Sequence, residues 1–299
     1  MTESWGLAMA FDIILPVLSV IIVSYNTREI TLECLKRIKA DEIIVVDNGS
    51  SDGTVEAIKE RYKDIRILQN KTNVGFAAAN NQGMKMAKGD KILLLNSDCF
   101  VNADTLDKMP DVDVVGCKLL NKDGSVQQSW GHYPSLRRII LMMLFIDNLP
   151  LIRRFIDSIH VRDLSRYDGE QEVDWVTGAF VMLKREVWEK IGGIDEKYFM
   201  YGEEMEWMYR IKRAGFKVWY SPAGSATHLL GASSPNRAPA VVGEMKGWMY
   251  WFARHNPVWQ QKLLPWVILL GCVLRIVLKP SLSKHYRLAV SEIFGRTRK

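Results

Sequence analysis

Hydrophobic patterning divides the chain into an ordered first third and a looser remainder. Leu18-Ser19-Val20-Ile21-Ile22-Val23-Ser24-Tyr25 and Glu42-Ile43-Ile44-Val45-Val46-Asp47 are short, β-branched, nearly continuous apolar runs. That pattern belongs to strands covered on both faces, since apolar side chains then suit both sides of the pleat. Ile65–Leu68 and Lys91–Leu95 read as two more strands. Between them, Arg28–Lys39, Thr54–Tyr62 and Gly75–Lys88 carry helical spacing, the first opened by Asn26 with Glu29 three residues on, a capping signal. Strands alternating with helices predict an α/β fold with a parallel sheet and right-handed crossovers.

Beyond Asn96 the pattern predicts a hairpin (Val112–Leu120 and Val126–Trp130 about Asp123-Gly124), then an apolar and basic stretch from Leu136 to Ile159. Glu172–Leu183 reads as a strand, Lys184–Ile191 and Glu203–Ala214 as helices, and Lys217–Tyr220 as a late strand. Gly215 falls at the helix C′ position. Leu263–Leu278, interrupted by Pro265 and Arg275, is short of the ~20 apolar residues a membrane span needs and reads as an interfacial helix. Domain limits follow: 17–235 as the α/β domain, with a basic and apolar insertion near 134–166, and 236–299 as a helical, basic region expected to associate with a membrane. Met1–Phe11 has no basic start, and Pro16 breaks the apolar stretch Ile13–Tyr25. A signal peptide is not expected, which places the catalytic part in the cytosol.

With 48% apolar and 25% charged residues, the composition is that of a globular protein. The four cysteines lack CxxC spacing, which excludes a disulfide framework and a structural zinc site. The formal charge of +6 is unevenly distributed. Arg137, Arg138, Arg153, Arg154, Arg162 and Arg166 bracket one apolar run, and Lys279, Lys284, Arg287, Arg296, Arg298 and Lys299 follow another. Basic residues beside apolar helices suit an anionic membrane surface better than nucleic acid, with ordinary solvated faces as the alternative. The apolar blocks Ile139–Ile146 and Leu263–Leu278 fit peripheral attachment to the cytoplasmic leaflet; a buried helix or a homodimer interface would use them equally.

Each early strand ends in polar residues: Ser24-Tyr25-Asn26, Asp47-Asn48, Asn70 and Asn73, and Asn96-Ser97-Asp98. Ligands of open parallel sheets bind beyond these carboxyl ends. Any one could be a turn or cap; together they describe a polar ligand. Neither GxGxxG after the first strand nor GxxxxGK[ST] is present, which disfavours a dinucleotide oxidoreductase and P-loop phosphoryl transfer. Asp98 is then a candidate oxygen ligand for magnesium or manganese bridging a diphosphate.

Ser24-Tyr25-Asn26, Val46-Asp47-Asn48-Gly49-Ser50-Ser51-Asp52-Gly53-Thr54, Asn73-Val74-Gly75-Phe76-Ala77, Asn80-Asn81 and Leu95-Asn96-Ser97-Asp98 closely resemble the family 2 glycosyltransferases of the GT-A fold. Asp174-Trp175-Val176-Thr177-Gly178-Ala179, Gly192-Gly193-Ile194-Asp195-Glu196, Phe199-Met200-Tyr201-Gly202-Glu203-Glu204 and His228-Leu229-Leu230-Gly231-Ala232-Ser233 look like its bacterial rhamnosyltransferase-like branch. The matches run in order from about Ser19 to Ser234. The resemblance implies a Rossmann-like, mainly parallel central sheet with membrane-associating C-terminal helices.

It also implies roles. Asp47 would contact a pyrimidine base, with Ser24, Tyr25, Asn26 and Asn48 about it. Asn73, Gly75 and Asn80 would shape the loop around ribose and diphosphate. Asn96, Ser97 and Asp98 stand at the DxD-type motif, where Asp98 alone supplies charge. His228 would complete the metal shell or be structural. Glu204 would be the general base where the family usually has Asp, with Glu203 as fallback. Trp175 and Gly178 would face the acceptor, unless Trp175 is core.

The implied activity is inverting transfer of a sugar, foremost rhamnose from a deoxythymidine-diphosphate donor, to a polyprenyl-diphosphate-linked or polysaccharide acceptor. The alternatives are galactofuranose, glucose or N-acetylglucosamine from a uridine-diphosphate donor, or a silent relative that only binds nucleotide sugars.

Overall fold

The computed structural model describes residues 17–149, 158–231 and 238–295. Of the sequence readings, Met1–Pro16, Pro150, Arg153, Arg154, Ala232, Ser233, Ser234, Arg296, Arg298 and Lys299 lie outside the described residues. Strands β1 (Leu18–Ser24), β2 (Glu42–Asp47), β3 (Arg66–Gln69) and β4 (Lys91–Asn96) form a parallel array in the order β3-β2-β1-β4. Helices α1 (Arg28–Leu35), α2 (Thr54–Arg61) and α3 (Phe76–Met86) connect them. Successive side chains of a strand point to opposite faces. Ile21, Ile44, Val46, Ile92 and Leu94 accordingly enter one core, and Val20, Ile22, Val45, Leu93 and Leu95 the other. Both faces are covered, hence the uninterrupted apolar runs.

The sheet continues past β4 through strands contributed later in the chain. These are β5 (Cys99–Val101), β6 (Val114–Leu120), β8 (Gln171–Glu172), β10 (Phe180–Lys184) and β11 (Val218–His228). Strand β10 lies antiparallel between β4 and β6, and β11 runs parallel to β6. Short helix α4 (Thr105–Lys108) packs on β11, and a separate two-stranded ribbon pairs β7 (Trp130–Gly131) with β9 (Trp175–Val176).

Several sequence expectations change here. Helix α1 stops at Leu35 rather than Lys39. Asn26 does not cap it: with φ at 51°, it turns its side chain to accept the Ser51 N–H at 2.8 Å. The expected hairpin is reduced to one bridge, Leu120 with Val126, because Trp130 pairs with β9 instead. The expected strand Glu172–Leu183 is three strands. Asp174 interrupts it by accepting the Tyr133 N–H at 3.2 Å. The late strand runs on to His228, across a register shift between Ser221 and Ser225.

Helices α5 (Leu136–Met143), α6 (Arg185–Ile191) and α7 (Glu203–Arg213) precede a C-terminal group of α8 (Ala238–His255), α9 (Val258–Leu278) and α10 (Ser283–Phe294). Helix α5 joins this last group. A Cβ on Gly271 of α9 would lie 2.3 Å from Met143 Cε. Arg275 donates to Met142 O at 2.8 Å and Met143 O at 2.6 Å, occupying carbonyls that the last turn of α5 leaves open. At 21 residues α9 starts earlier than the sequence pattern indicated, and by length and composition it is long and apolar enough to cross a membrane.

Candidate functional site

The carboxyl ends of β4 and β11 meet because β11 pairs antiparallel with β5, placing His228 opposite Cys99. Asp98, one residue earlier, then faces the imidazole: His228 Nε2 lies 3.3 Å from Asp98 Oδ1, and both side chains are buried. Gln127 fixes the ring. Its amide nitrogen donates to His228 O at 2.6 Å and Leu120 O at 3.3 Å, so its Oε1 is left to accept from His228 Nδ1 at 3.1 Å. With an Nδ1 proton given to Gln127, the Nε2 position beside the Asp98 carboxylate would be the one free to ligate a cation. Two acceptors 3.3 Å apart suit a shared cation; cis ligands of an octahedral ion at ~2.1 Å are about 3 Å apart. Among the described residues no cluster of three or more His, Cys, Asp or Glu side chains could hold a metal, so further ligands would come from diphosphate oxygens and water.

Across a cleft of about 210 Å³ from this pair stand Glu203 and Glu204, at the start of α7. Asn96, Gly178, Phe76, Met200 and Tyr201 line the same cleft. Among the described residues neither Glu203 Oε2 nor Glu204 Oε2 has a hydrogen-bond partner, although both are buried. Burial pushes both carboxyls above the ordinary range, and the Glu204 charge raises Glu203 further. Backbone N–H groups at the start of α7 bind each carboxylate, and the Oε2 atoms left open beside the cleft can accept protons or receive hydroxyls.

A second set of predicted residues gathers beside the ends of β1, β2 and β3. Asp47 is fully buried; its Oδ1 accepts from the backbone N–H of Gly49 (3.2 Å) and Ser50 (3.0 Å), while Oδ2 has no partner among the described residues. Asn48 donates to Asn73 Oδ1 (3.3 Å) and Gly75 O (3.2 Å), and Asn73 Oδ1 accepts the Gly75 N–H at 2.9 Å. Gly75 holds φ at 91°, and a Cβ there would lie 2.9 Å from Phe199. Tyr25 is exposed.

Other predicted residues do structural work. Ser24 Oγ is buried against Thr27 and Thr31, Ser97 Oγ meets Thr27 Oγ1 at 3.4 Å, and the Asn80 amide donates to Phe76 O within α3. Trp175 is core and no platform for a sugar. It is 1% exposed, its indole N–H donates to His132 O at 3.0 Å, and His160 meets its ring edge-on. Two site residues were given no role by sequence reasoning. Gln127 lies in the expected hairpin strand, 101 positions from its histidine, and Tyr201 stands within a matched motif without a chemical role of its own.

Residues 19–159 match the glycosyl transferase family 2 model. The chain is 26% identical over 276 residues to the N-acetylglucosaminyl-diphospho-decaprenol L-rhamnosyltransferase of Mycobacterium tuberculosis, covering 85% of this chain and 89% of that protein. It is 27% identical over 227 residues to the rhamnosyltransferase WbbL of Escherichia coli, covering 70% of this chain and 82% of that protein. Among solved structures, the mannosyltransferase PcManGT from Pyrobaculum calidifontis, in complex with GDP-Man and Mn2+, aligns with a TM-score of 0.56 at 17% identity, over 94% of this chain and 88% of that one. GalNAc-T7 with UDP, GalNAc and Mn2+ gives the same TM-score at 19% identity, over 80% of this chain and 48% of that one. The polar strand ends, the late sheet and these likenesses agree: residues 19–159 carry a family 2 glycosyltransferase domain, the fold is that of the GT-A enzymes, and the chain is similar to bacterial rhamnosyltransferases.

Proposed function

We propose that the enzyme transfers rhamnose, with inversion, from deoxythymidine-diphosphate rhamnose to a lipid-linked or polysaccharide acceptor in cell-surface glycan synthesis. The observation that carries this reading is the single cleft in which Asp98 and His228 oppose Glu203 and Glu204. Displacing a nucleoside diphosphate from C1 with inversion needs a base on one side and charge neutralisation on the other. Glu204, half-buried, takes the proton of the acceptor hydroxyl. That oxygen bonds to C1 as the bond from C1 to the diphosphate oxygen breaks, and the electron pair leaves with the nucleotide. Glu203 is the deeper of the two, and adjacent carboxyls do not readily ionise together, so Glu203 keeps its proton while Glu204 acts. Asp98 and His228 would hold a magnesium or manganese ion, which would supply charge neutralisation for the diphosphate. Asp47, Asn48, Asn73 and Gly75 line the path for base and ribose.

The acceptor reading draws on the decaprenol-linked relative and on the surface of α9. Trp259, Leu263, Trp266, Leu270, Val273 and Val277 repeat at alternate intervals of four and three along this helix, and all are exposed. At 60% and 67% exposure, the two tryptophans suit a headgroup boundary, and Lys262, Lys279, Lys284 and Arg287 add exposed positive charge. Peripheral attachment to the cytoplasmic face follows, with residues 236–299 as the attaching region.

A thermal-shift screen of nucleotide-diphosphate sugars with and without manganese tests the reading. A donor at about 100 times its Kd adds ~2.7 kcal/mol, or about 4 °C for a chain of this length. A manganese-dependent rise with deoxythymidine-diphosphate rhamnose supports the donor. A rise only with a uridine-diphosphate sugar replaces it, and no rise with any donor refutes the function.

A further inference from the structure

Tyr201, directly ahead of the catalytic glutamates, holds φ at 75°. A left-handed conformation costs a bulky residue ~1–3 kcal/mol and persists only where the surroundings enforce it. Here α8 enforces it. Gly243 and Gly247 lie one helical turn apart and form a notch beneath the loop. A Cβ on Gly243 would stand 2.9 Å from Tyr201 Cδ2 and 3.0 Å from Met200 O. One on Gly247 would stand 2.7 Å from Tyr201 O. Neither is required by backbone conformation, since both sit within a regular helix; glycine is there for close approach.

The same loop is fastened at further points. Tyr250 of α8 packs edge-on against Tyr198 with centroids 4.8 Å apart, and its hydroxyl donates to Asp195 at 2.9 Å. Arg254 of α8 donates to the same carboxylate at 2.6 Å. On the donor side, the Phe76 N–H donates to Phe199 O at 3.0 Å. What the loop delivers is a carboxylate pair held by the backbone at the start of α7 and, among the described residues, by no side chain at the oxygens left open. Glu203 is 4% exposed, and its Oε2 is without a partner among the described residues although it borders the cleft.

We propose that α8 is a positioning element of the catalytic site, in which Gly243 and Gly247 seat Tyr201 and thereby hold Glu203 and Glu204 at the cleft. This rests on the reading of Glu204 as the base. The helix is then part of the acceptor side of the enzyme as well as part of its C-terminal attachment region. The titratable groups facing the pair are Tyr201 on the loop, Glu244 on α8, and Asp98 and His228 across the cleft.

The test compares the full-length enzyme with Gly247→Ala, Gly243→Ala and, as an exposed control on the same helix, Ala253→Ser. The measurements are kcat, donor KM and the pH–rate profile. A displacement near 1 Å in a catalytic group costs about 10² in rate. Gly247→Ala should therefore lose roughly 10–100-fold in kcat, with donor KM within about threefold. Its acid limb should move to lower pH, because a lifted loop admits water to the carboxylates. Gly243→Ala, whose nearest clash is with the movable edge of a ring, should show the same pattern more weakly and decides the matter if Gly247→Ala does not fold. A kcat within twofold of the parent, or a loss of kcat with the acid limb unmoved, overturns the proposal. Glu204→Gln distinguishes the two levels: normal turnover in that variant removes the base assignment and the brace with it, whereas an inactive Glu204→Gln beside a normal Gly247→Ala removes the brace alone.

Discussion

Replacing Glu204 with Gln separates the cost of the site from its use. The substitution keeps the side chain's shape and removes a charge whose Oε2 is buried without a partner among the described residues. For the reaction, losing a general base costs about 10²–10⁴ in rate, or ~2.7–5.5 kcal/mol at 1.36 kcal/mol per decade. For stability the sign is opposite. Burial raises the Glu204 carboxyl above its ordinary value in the folded state, so the native protein is stabilised below the ordinary carboxylate range and loses that contribution as pH rises through the raised value. The glutamine variant has nothing to ionise. Relief of a buried, unsatisfied charged group is worth roughly 1–3 kcal/mol, which for 299 residues at ~2.1 cal/mol/K each is about 2–5 °C in Tm. Scanning calorimetry at pH 8 should show the variant melting higher by that amount, with the two proteins converging at pH 4. In the parent, rate should climb with pH through the raised Glu204 value, and the variant should lack that limb. A variant that keeps turnover within threefold, or that melts lower at pH 8, refutes the reasoning.

Asp98→Ala and His228→Ala should each raise the manganese concentration for half-maximal turnover more than Gln127→Ala, for which loss of an outer-shell partner predicts about 10–100-fold; identical metal titrations in all three would remove the site. Gly83→Ala should lower Tm by roughly 2–5 °C, because its Cβ would fall 2.3 Å from Ile21 Cγ2 and overpacking costs ~1–3 kcal/mol; an unchanged melting point contradicts the packing of α3 on β1. Trp266→Glu should reduce partitioning onto anionic vesicles at least tenfold without lowering Tm, since burying such a ring is worth ~1.5–3 kcal/mol. Unchanged partitioning with loss of a dimer in ultracentrifugation would assign the stripe to a second copy instead.

The donor half of this protein is legible in its sequence because it is local. Strands β1, β2 and β4 are continuous apolar runs buried on both faces, and each hands its polar residues directly to the sheet edge. Asp47 and Asp98 can be found by reading each run to its end. The later half obeys long-range pairing that no local pattern carries. The sequence pattern ends the late strand at Tyr220, yet β11 runs on to His228 across a register shift between Ser221 and Ser225. Trp175, inside the stretch that reads as one strand, was open to an acceptor role, but its buried indole N–H is satisfied by His132 O, 43 positions away. Helix α9 was read from Leu263 rather than Val258 because the polar Gln260-Gln261-Lys262 precedes its apolar run, and Arg275 counted against a span; in the fold, Arg275 is buried and donates to the open carbonyls of α5.

The chemistry itself explains why the second half of the site must be built non-locally. A base that acts opposite the leaving diphosphate cannot come from the same strand ends that would hold the diphosphate. It has to arrive on an element crossing the cleft, and the start of α7 does so. Each carboxylate placed there leaves one buried oxygen without a partner among the described residues, and that oxygen costs rather than gains free energy in the folded state. Their position must be paid for by neighbours. Glu206, fully buried two residues further along α7, bonds Arg210 at 2.9 Å and lies 3.9 Å from both Arg254 and His255 of α8. Asp195, at the head of the loop, is bound by Tyr250 and Arg254 of the same helix. The partners that Glu203 Oε2 and Glu204 Oε2 lack among the described residues are thus found on either side of them: Arg210 of α7 bonds Glu206, and Tyr250 and Arg254 of α8 bind Asp195.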